Sequence, residues 1–437
     1  MNTFMLLAII GLITMLVLLF LGMNIGLAMF LVGFVGYACV MNWNWGAALA
    51  ILRTYTVSSA MNYTMSVIPL FVLMGQFAFR SGISNDLFRS TRTLFGRVPG
   101  GLAYTGIVSC GLFGAICGSL GATTATMCSV AKPVMRENHY DDALIGGTLA
   151  CGGTLGTLIP PSTSFILYGI MASTSIGSLF AAGVMPGILM AICFCGVIAI
   201  WTKLHPNAAP GARAFTMKEK LIALKGFVPM VLLFAIVLGG MFTGLFSVTE
   251  CAAVGAFVAF LFMLIRKQAT WENIKASLIE TVESMGMCMI VLQGANILGC
   301  FLSVTNLPTT LASWVNSLAV PHVVVVALII LIYALLGCIM DTLAVVVLTV
   351  PIFLPIMLSF GYDPVWFGVI IVMVMNMGAV TPPVGISCYV AAGSLKDIPL
   401  TTVFRGAIPF LLAFLVAFVL VVLFPQISLW LPSMTAA

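Results

Sequence analysis

A long apolar segment is interrupted at Gly153-Thr-Leu-Gly-Thr-Leu-Ile-Pro-Pro-Ser162, and a second one at Asn376-Met-Gly-Ala-Val-Thr-Pro-Pro-Val-Gly385. Proline removes a backbone donor and clashes with the preceding turn, so a helix should unwind at each diproline. Unpaired backbone groups within a bilayer are costly unless they line a polar cavity. The two motifs therefore predict broken membrane helices that build a binding site, although a simple kink is the alternative.

The composition around these motifs is that of a membrane protein. The chain has 437 residues, of which 62% are hydrophobic and 7% are charged, whereas a soluble domain is about half apolar and about a quarter charged. This balance excludes a water-soluble globule. Long apolar runs such as 4–23 favour helices over a barrel, and we interpret the 12 scattered cysteines as core residues. We expect an all-α polytopic membrane protein.

At about 20 residues per crossing, the apolar runs place ten spans. They lie near 4–23, 25–41, 63–79, 142–172, 178–202, 226–245, 246–266, 285–303, 364–395 and 403–424. Two further apolar stretches, 98–132 and 320–357, have polar residues near their middles and are expected to be re-entrant helical hairpins. Segments 45–60 and 267–282 are mixed in polarity, so we expect interfacial arms.

The distribution of the basic residues between loops tests this assignment of spans. With the N-terminus outside, 16 of the 17 basic residues fall on the inner side and Arg53 alone falls outside, as the positive-inside rule requires. The inner set comprises Arg80, Arg89, Arg92, Arg97, Lys132, Arg136, Lys203, Arg213, Lys218, Lys220, Lys225, Arg266, Lys267, Lys275, Lys396 and Arg405. If 98–132 crossed once, later loops would invert, so the charge pattern supports the first hairpin.

An internal repeat with an offset of 222 residues relates the two halves of the chain. Without gaps, residues 133–161 and 355–383 share eight identities, including Tyr140/Tyr362 and Pro160/Pro382, against roughly two or three expected from biased composition. We assign residues 1–222 and 223–437 to the two copies, each with five crossings and one hairpin. Because five is odd, the copies must be inverted, as in many secondary transporters; shared composition alone is the alternative.

The two hairpin tips contain further polar residues that could bind a ligand. The first contains Gly118-Ser-Leu-Gly-Ala-Thr-Thr-Ala-Thr126 and the second Gly337-Cys-Ile-Met-Asp-Thr342. Hydroxyls, carbonyls and one carboxylate suit sodium better than a transition metal. Asp341 stands alone in an apolar run, where a carboxylate needs a partner. It is either a cation ligand or a cap for its own helix, and the Ser and Thr hydroxyls are either ligands or partners of their own helix carbonyls.

Motifs of other functional classes are missing from the sequence. There is no G-x-x-x-x-G-K-S/T phosphate-binding loop, no H-E-x-x-H, no G-x-S-x-G and no paired carboxylates at helical spacing inside a span. We therefore expect a protein that is not an enzyme, does not itself bind ATP in that manner and has no nucleic-acid partner.

The chain resembles the large membrane subunit of tripartite ATP-independent periplasmic (TRAP) transporters. The motifs that carry the resemblance are Gly111-Leu-Phe-Gly-Ala-Ile-Cys-Gly-Ser119, Gly156-Thr-Leu-Ile-Pro-Pro-Ser162, Asp341-Thr342, Pro351-x-x-x-Pro355, Gly361-Tyr-Asp-Pro364 and Thr381-Pro-Pro-Val-Gly385. Length and span layout match as well, so the resemblance covers essentially the whole chain.

The resemblance implies an elevator-type secondary transporter of the bacterial inner membrane, with a periplasmic N-terminus. A scaffold made of the first two spans of each half and the arms would hold a moving domain made of the hairpins and broken helices. Sodium would drive uptake of a small organic anion, commonly a carboxylate, delivered by a periplasmic binding protein. A small four-helix membrane subunit, expected as a separate polypeptide, would brace the scaffold in the lipid bilayer.

The resemblance also assigns site residues by position. One sodium (Na⁺) site would use Ser119, Gly121, Thr123 and Thr124 with Gly153 and Gly156, and the other would use Asp341 and Thr342 with Gly378 and Thr381. Because no arginine is expected deep in either half, we assign substrate recognition to half-helix N-termini and hydroxyls such as those of Ser162 and Thr163.

The sequence leaves three alternative functions open. The first is a stand-alone sodium/dicarboxylate-type carrier that works without a binding protein. The second is an ion channel or a structural membrane subunit, which would not need two oppositely oriented broken helices. The third is an intramembrane enzyme, for which the sequence offers no catalytic cluster.

Overall fold

The computed structural model describes residues 3–96, 98–211, 215–317 and 320–435. Every regular element within these ranges is a helix. In the same ranges, nine helical segments are long and apolar enough to cross a membrane, and a bent pair supplies a tenth. Arg97 and Arg213, which the charge analysis placed on the inner side, lie outside the described residues. The chain is an all-α, multi-pass membrane protein, as the composition predicts.

The first half contains two spans, an arm, a third span, a hairpin, a broken helix and a last span. Its helices are α1 (Thr3–Phe20), α2 (Ile25–Val40), α3 (Trp45–Ala60), α4 (Val67–Arg80, preceded by the 3₁₀ turn Tyr63–Ser66), α5 (Ile83–Phe95), α6 (Gly101–Cys117), α7 (Leu120–Glu137), α8 (Asp142–Leu158), α9 (Thr163–Ala172) and α10 (Ile176–Leu204). The first hairpin is thus formed by α6 and α7, and the first broken helix by α8 and α9.

The second half repeats this order after a linking helix. Its helices are α11 (Met217–Ala223), α12 (Val228–Phe234, preceded by the 3₁₀ turn Leu224–Phe227 and followed by the π-helical turn Ala235–Gly239), α13 (Gly240–Phe242), α14 (Val248–Ile265), α15 (Trp271–Val304), α16 (Leu307–Ser317), α17 (His322–Ile339), α18 (Thr342–Ser359), α19 (Pro364–Gly378), α20 (Ile386–Leu395), α21 (Leu400–Leu423) and α22 (Gln426–Thr435). The second hairpin is formed by α17 and α18, and the second broken helix by α19 and α20.

The repeat inferred from sequence is visible in the helix bounds and contacts. Helices α7 and α18 begin and end 222 residues apart, and α8 and α19 begin with the same offset. Equivalent helices make equivalent contacts, since α6 packs on α8 as α17 packs on α19, and α2 packs on α15 as α14 packs on α4. The fold is an inverted-topology repeat with one hairpin in each copy. The boundary between residues 222 and 223 remains a prediction.

Both broken helices start at equivalent aspartate caps. The Asp141 carboxylate accepts the backbone N–H groups of Ala143 and Leu144 at 2.8 and 3.2 Å. In the second copy, Asp363 accepts the N–H groups of Val365 and Trp366 at 2.7 and 3.1 Å. An aspartate at this position satisfies donors that have no partner within the helix. The Tyr-Asp pair shared by the two copies thus fixes where each broken helix begins.

The arms differ between the two halves. In the first half, the Asn62 side chain accepts the Thr64 N–H at 2.9 Å and starts a new turn, which separates α3 from α4. In the second half, the expected arm at 267–282 and the expected span at 285–303 form one helix, α15. The position equivalent to Asn62 is Ser284, inside α15. The second arm is therefore a continuous extension of its span.

The two copies interlock through their hairpins. Helix α7 packs on α20, the second segment of the opposite broken helix, and α18 packs on α9 in the same way. Helix α8 lies at the centre, and all its residues from Ala143 to Leu158 are buried. It meets α21 where Gly147 faces Gly406, and a Cβ on either glycine would overlap backbone of the other helix. The core is consequently shared by both halves of the chain.

Candidate cation and substrate site at the hairpin tips

Both predicted helix breaks are present, and both lie beside hairpin tips. Helix α8 ends at Leu158 and α9 starts at Thr163, with a bend of 40° between them. Helix α19 ends at Gly378 and α20 starts at Ile386. The Pro160–Pro161 and Pro382–Pro383 peptide bonds are both cis. Each break leaves several residues of non-helical backbone next to the turn of a hairpin.

The first hairpin tip is hydrogen-bonded to the first break. The Gly118 carbonyl accepts the Thr163 hydroxyl at 2.8 Å and the Thr163 N–H at 3.3 Å. Gly118 has a φ of +65°, which favours glycine, and a Cβ there would lie 2.9 Å from the Pro161 carbonyl oxygen. The tip and the start of α9 therefore form one rigid unit, and the predicted substrate contact Thr163 also serves this internal bond.

The second hairpin tip meets the second break in a similar way. The Cys338 carbonyl accepts the Gly385 N–H at 3.3 Å. A Cβ on Gly378 would lie 2.5 Å from the Gly337 carbonyl carbon, so the two backbones approach closely. Of the predicted ligands here, Thr342 is buried and Thr381 is half-buried, with its hydroxyl donating to the Met377 carbonyl at 2.7 Å.

Asp341 caps the second helix of hairpin 2 and remains accessible. One carboxylate oxygen accepts the Leu343 N–H at 3.1 Å, and the residue is exposed. Pro382 and Pro383 of the adjacent break are exposed as well, whereas Pro160 and Pro161 are buried. The structure thus shows the cap that was one of the two interpretations of Asp341, and the residue stays exposed.

The predicted first sodium site comes together from α7 and α8. A Cβ on Gly156 would lie 2.6 Å from the Thr123 hydroxyl, and one on Gly153 would overlap the Thr124 hydroxyl. Both threonines are completely buried. The Thr123 hydroxyl makes no hydrogen bond to any described residue; its polar neighbour is the thiol of Cys117, which is a weak hydrogen-bonding group.

The remaining predicted residues lie at the edge of this cluster. Ser119 and Gly121 are half-buried. Ser119 occupies the cap position of α7 without a side-chain capping bond, and no described atom lies within 4 Å of where a Gly121 Cβ would be. Ser162 is fully buried, and its hydroxyl donates to the Thr157 carbonyl at 2.5 Å. The same oxygen accepts the Phe165 N–H at 3.5 Å, so Ser162 caps α9 from inside the protein.

Ser387 belongs to this cluster but was missed from the sequence. Its hydroxyl lies 3.3 Å from the Thr124 hydroxyl and donates to the Ala150 carbonyl at 2.6 Å. It brings α20 of the second copy to the hydroxyls of the first hairpin. The repeat gives no signal for it, since the equivalent residue in the first copy is Phe165.

A buried polar contact also joins the two broken helices. The Thr157 hydroxyl lies 2.7 Å from Asn376 Oδ1, and Asn376 Nδ2 donates to the Thr154 carbonyl at 3.3 Å. Thr154 and Asn376 occupy equivalent positions of the repeat, so the local symmetry axis passes near them. The sequence offered one signal for this contact, which was a lone amide within the apolar run Met373–Met377.

Ion pairs connect α7, the second helix of hairpin 1, to the segment that follows α20 in the second copy. Lys132 bonds Asp397 and the Leu395 carbonyl. Arg136 lies 3.1 Å from Asp397 and 3.0 Å from Asp142. The hydrogen bond from Lys132 lowers the pKa of the Asp397 carboxyl, so this contact is present at neutral pH and is lost as the pH falls through that lowered pKa.

A cavity of about 270 Å³ lies between α4, α15 and the first hairpin. Its polar lining includes Gln76, Thr126, Ser129 and Glu280, and Cys117 at the end of α6 lies in its wall. Glu280 is paired with Arg80 at 2.6 Å. The cavity therefore lies along hairpin 1 and reaches Cys117, next to its tip.

The donors at the tips are hydroxyl, carbonyl and carboxylate oxygens, which suit a hard cation. Among the described residues, no group of three or more His, Cys, Asp or Glu side chains is arranged to hold a metal ion. All twelve cysteines are free. This donor set suits a hard cation better than a transition metal.

Comparisons with known proteins agree with this architecture. The chain is similar to the C4-dicarboxylate TRAP transporter large permease protein DctM of Pseudomonas aeruginosa, with 32% identity over 85% of this chain and 87% of the relative. It is similar to the sialic acid TRAP transporter large permease protein SiaM of Vibrio cholerae, with 31% identity over 95% and 96%. The relatives have the names of transporter permeases, and the chain is a transporter component rather than an enzyme.

The fold also resembles a solved structure. The Alcanivorax borkumensis YdaH transporter, described as having an unusual topology, matches with a TM-score of 0.61 and 15% identity over 89% of each chain. The model of the family described as "Tripartite ATP-independent periplasmic transporter, DctM component" matches residues 12–427. The chain therefore belongs to this family and is a TRAP transporter large permease subunit.

Proposed function

We propose that this subunit couples the inward movement of sodium to the import of an organic anion by an elevator mechanism. The observation that carries the proposal is the convergence of both hairpin tips with both helix breaks in a core shared by the two copies. Broken helices at bilayer depth supply carbonyl oxygens for cations and helix N-termini for anions. Hairpins and broken helices form the moving domain, and the first two spans of each half form the scaffold.

The residues present fit two sodium sites. The first site uses Ser119, Gly121, Thr123, Thr124, Gly153 and Gly156, and the second uses Asp341, Thr342, Gly378 and Thr381. The buried Thr123 hydroxyl without a hydrogen-bond partner among the described residues supports the first site, because a buried polar group is costly unless something binds it. The accessible Asp341 carboxylate supports the second.

The substrate is proposed to be a small carboxylate. The relatives named above are transporters of C4-dicarboxylates and of sialic acid, and both substrate classes carry a carboxylate. The N-terminus of α9, where Ser162 and Thr163 lie, carries the positive end of the helix dipole, which attracts such an anion. Because both hydroxyls already make internal bonds, we assign the main attraction to the helix N-terminus.

Membership of a tripartite family implies a binding protein and a small membrane subunit as partners. We propose that the binding protein is periplasmic and delivers the substrate, and that the small subunit has four helices and braces the scaffold. The large subunit then lies in the bacterial inner membrane with a periplasmic N-terminus. Each net positive charge that moves down 100 mV contributes about 2.3 kcal/mol, so the membrane potential drives import when the sodium ions carry more charge than the anion they accompany.

Uptake assays in proteoliposomes test this function. The chain is reconstituted with its small subunit and binding protein, and uptake of radiolabelled succinate and N-acetylneuraminate is measured under an inward sodium gradient. We expect uptake of one substrate class that stops when choline replaces sodium and when the binding protein is omitted. Sodium-independent uptake would contradict the coupling, and transport by the chain alone would favour a stand-alone carrier.

The Asp341→Asn variant tests the second sodium site. We expect sodium-driven uptake to fall by more than about tenfold, because a carboxylate about 4 Å from a cation near a protein surface contributes about 4 kcal/mol, which exceeds the ~1.4 kcal/mol that a factor of ten requires. Asp363→Asn is the matched control, since Asp363 caps α19 as Asp341 caps α18 and asparagine caps helices equally well. Equal uptake by both variants would remove Asp341 from the site.

A further inference from the structure

A second polar cavity lies on the basic side of the molecule, away from the hairpin tips. Its volume is about 550 Å³, and it is formed by α5, α11, the turn that leads into α12, and the end of α14. We call it the basic-side pocket. Its lining comprises Asp86, Arg89, Ser90, Thr93, Phe215, Glu219, Ile222, Ala223, Lys225, Gly226 and Arg266.

The acidic groups of the basic-side pocket are already engaged. Asp86 is paired with Arg266 at 2.6 Å. One oxygen of Glu219 accepts the Thr216 N–H at 2.7 Å and the Thr216 hydroxyl at 3.0 Å, which caps α11. Neither acid is therefore free to neutralise further cations of the pocket at short range.

Two cations of the pocket remain unpaired. Arg89 and Lys225 are both exposed, and neither side chain has a hydrogen bond or ion pair with any part of the chain that the structure describes. Both line the pocket from elements that pack together, since Arg89 is on α5 and Lys225 is on the turn before α12. Gly226 permits the close packing, because a Cβ there would overlap the Ser90 hydroxyl.

An apolar strip continues from the pocket towards the membrane. Lys225, Val228 and Leu232 are spaced so that they share one helix face, and Val228 and Leu232 are 57% and 46% exposed. The neighbouring α11 is short and amphipathic, with Leu221 and Ile222 exposed beside its lysines. A cationic pocket with an adjoining apolar strip matches the head and tail of one amphiphile.

We propose that the basic-side pocket binds an anionic phospholipid. Arg89 and Lys225 hold the headgroup phosphate, and an acyl chain lies along Val228 and Leu232. Basic pockets between membrane helices recognise anionic headgroups in this way, and arginine suits a phosphate because it donates bidentate hydrogen bonds. A zwitterionic lipid carries a compensating positive charge, and free phosphate has no tail for the apolar strip.

Lipid binding to the purified full-length chain tests the proposal. Retention of phosphatidylglycerol and phosphatidylcholine is compared by native mass spectrometry, and thermal stability is measured in nanodiscs of each lipid and in detergent with inorganic phosphate. We expect Arg89→Gln/Lys225→Gln to lower the apparent affinity for phosphatidylglycerol by about 25-fold, since each basic residue near the membrane surface contributes about fivefold. Affinity for phosphatidylcholine should stay unchanged.

A double variant with the same change in net charge serves as the control. Lys203→Gln/Lys275→Gln removes two exposed lysines from the same basic side but outside the pocket, and it should keep the preference for phosphatidylglycerol. Equal binding of the two lipids by the wild type, or an unchanged preference in Arg89→Gln/Lys225→Gln, would overturn the proposal. Stabilisation by inorganic phosphate as large as that by phosphatidylglycerol would identify a free anion instead.

Discussion

Thr123→Val is expected to raise the sodium concentration needed for half-maximal stabilisation by more than about tenfold, which corresponds to ~1.4 kcal/mol. The Thr123 hydroxyl is completely buried and makes no hydrogen bond to any described residue. Valine has nearly the same shape and carries a methyl group in place of that hydroxyl. If the hydroxyl binds sodium, its removal weakens the binding of the ion and leaves the protein otherwise intact. The measurement is the melting temperature of the purified chain during titration with sodium chloride at constant ionic strength in choline chloride.

A core role for Thr123 predicts an unchanged sodium response. Under either role, removal of an unpaired buried hydroxyl relieves a desolvation penalty of about 1–3 kcal/mol, so the variant should be as stable as the wild type or more stable without sodium, and only the response to sodium distinguishes the two roles. Thr148→Val is the matched control, because Thr148 is equally buried in α8 and its hydroxyl likewise makes no hydrogen bond to the described residues. Thr123→Ser should restore the sodium response. A normal sodium response in Thr123→Val would remove this residue from the first site.

Gly406→Val is expected to lower the yield of monodisperse protein by about tenfold or more. A Cβ at Gly406 would overlap the Ala143 carbonyl oxygen and lie 3.0 Å from the Gly147 nitrogen, so the obstacle is backbone that no rotamer change can move. Helices α8 and α21 would have to separate, and overpacking of this kind costs about 1–3 kcal/mol or more. Losses of this size change protein abundance several-fold or more. Size-exclusion chromatography of the detergent-solubilised protein measures the effect.

Gly196→Val separates this effect from a general intolerance of valine in helices. Gly196 also lies in a long membrane helix, α10, but apart from the backbone of its own helix no atom of the described residues lies within 4 Å of where its Cβ would be. We expect its yield and elution profile to match the wild type. A normal yield of Gly406→Val would show that α8 and α21 do not pack as closely as the structure indicates.

The polar residues of the hairpin tips stand out in the sequence, but their pairing with the broken helices came from the family resemblance. The structure places Thr123 beside Gly156 and Thr124 beside Gly153, because hairpin 1 returns beside the broken helix of its own copy. The second copy preserves the architecture but not the chemistry, since Val345 and Val346 replace the two threonines. The two proposed sodium sites therefore have different donors, with hydroxyls in the first and a carboxylate in the second.

The sequence alone determined the membrane class, the 222-residue repeat, the two hairpins and the two helix breaks, because hydropathy, charge and proline act locally along the chain. Only the tertiary structure placed Ser387 beside Thr124 and Asn376 beside Thr157. These partners are more than 200 residues apart and come from opposite copies, so neither periodicity nor the repeat itself points to them. Their contact depends on the packing of one copy against the other, which close backbone approach at residues such as Gly147 and Gly406 permits.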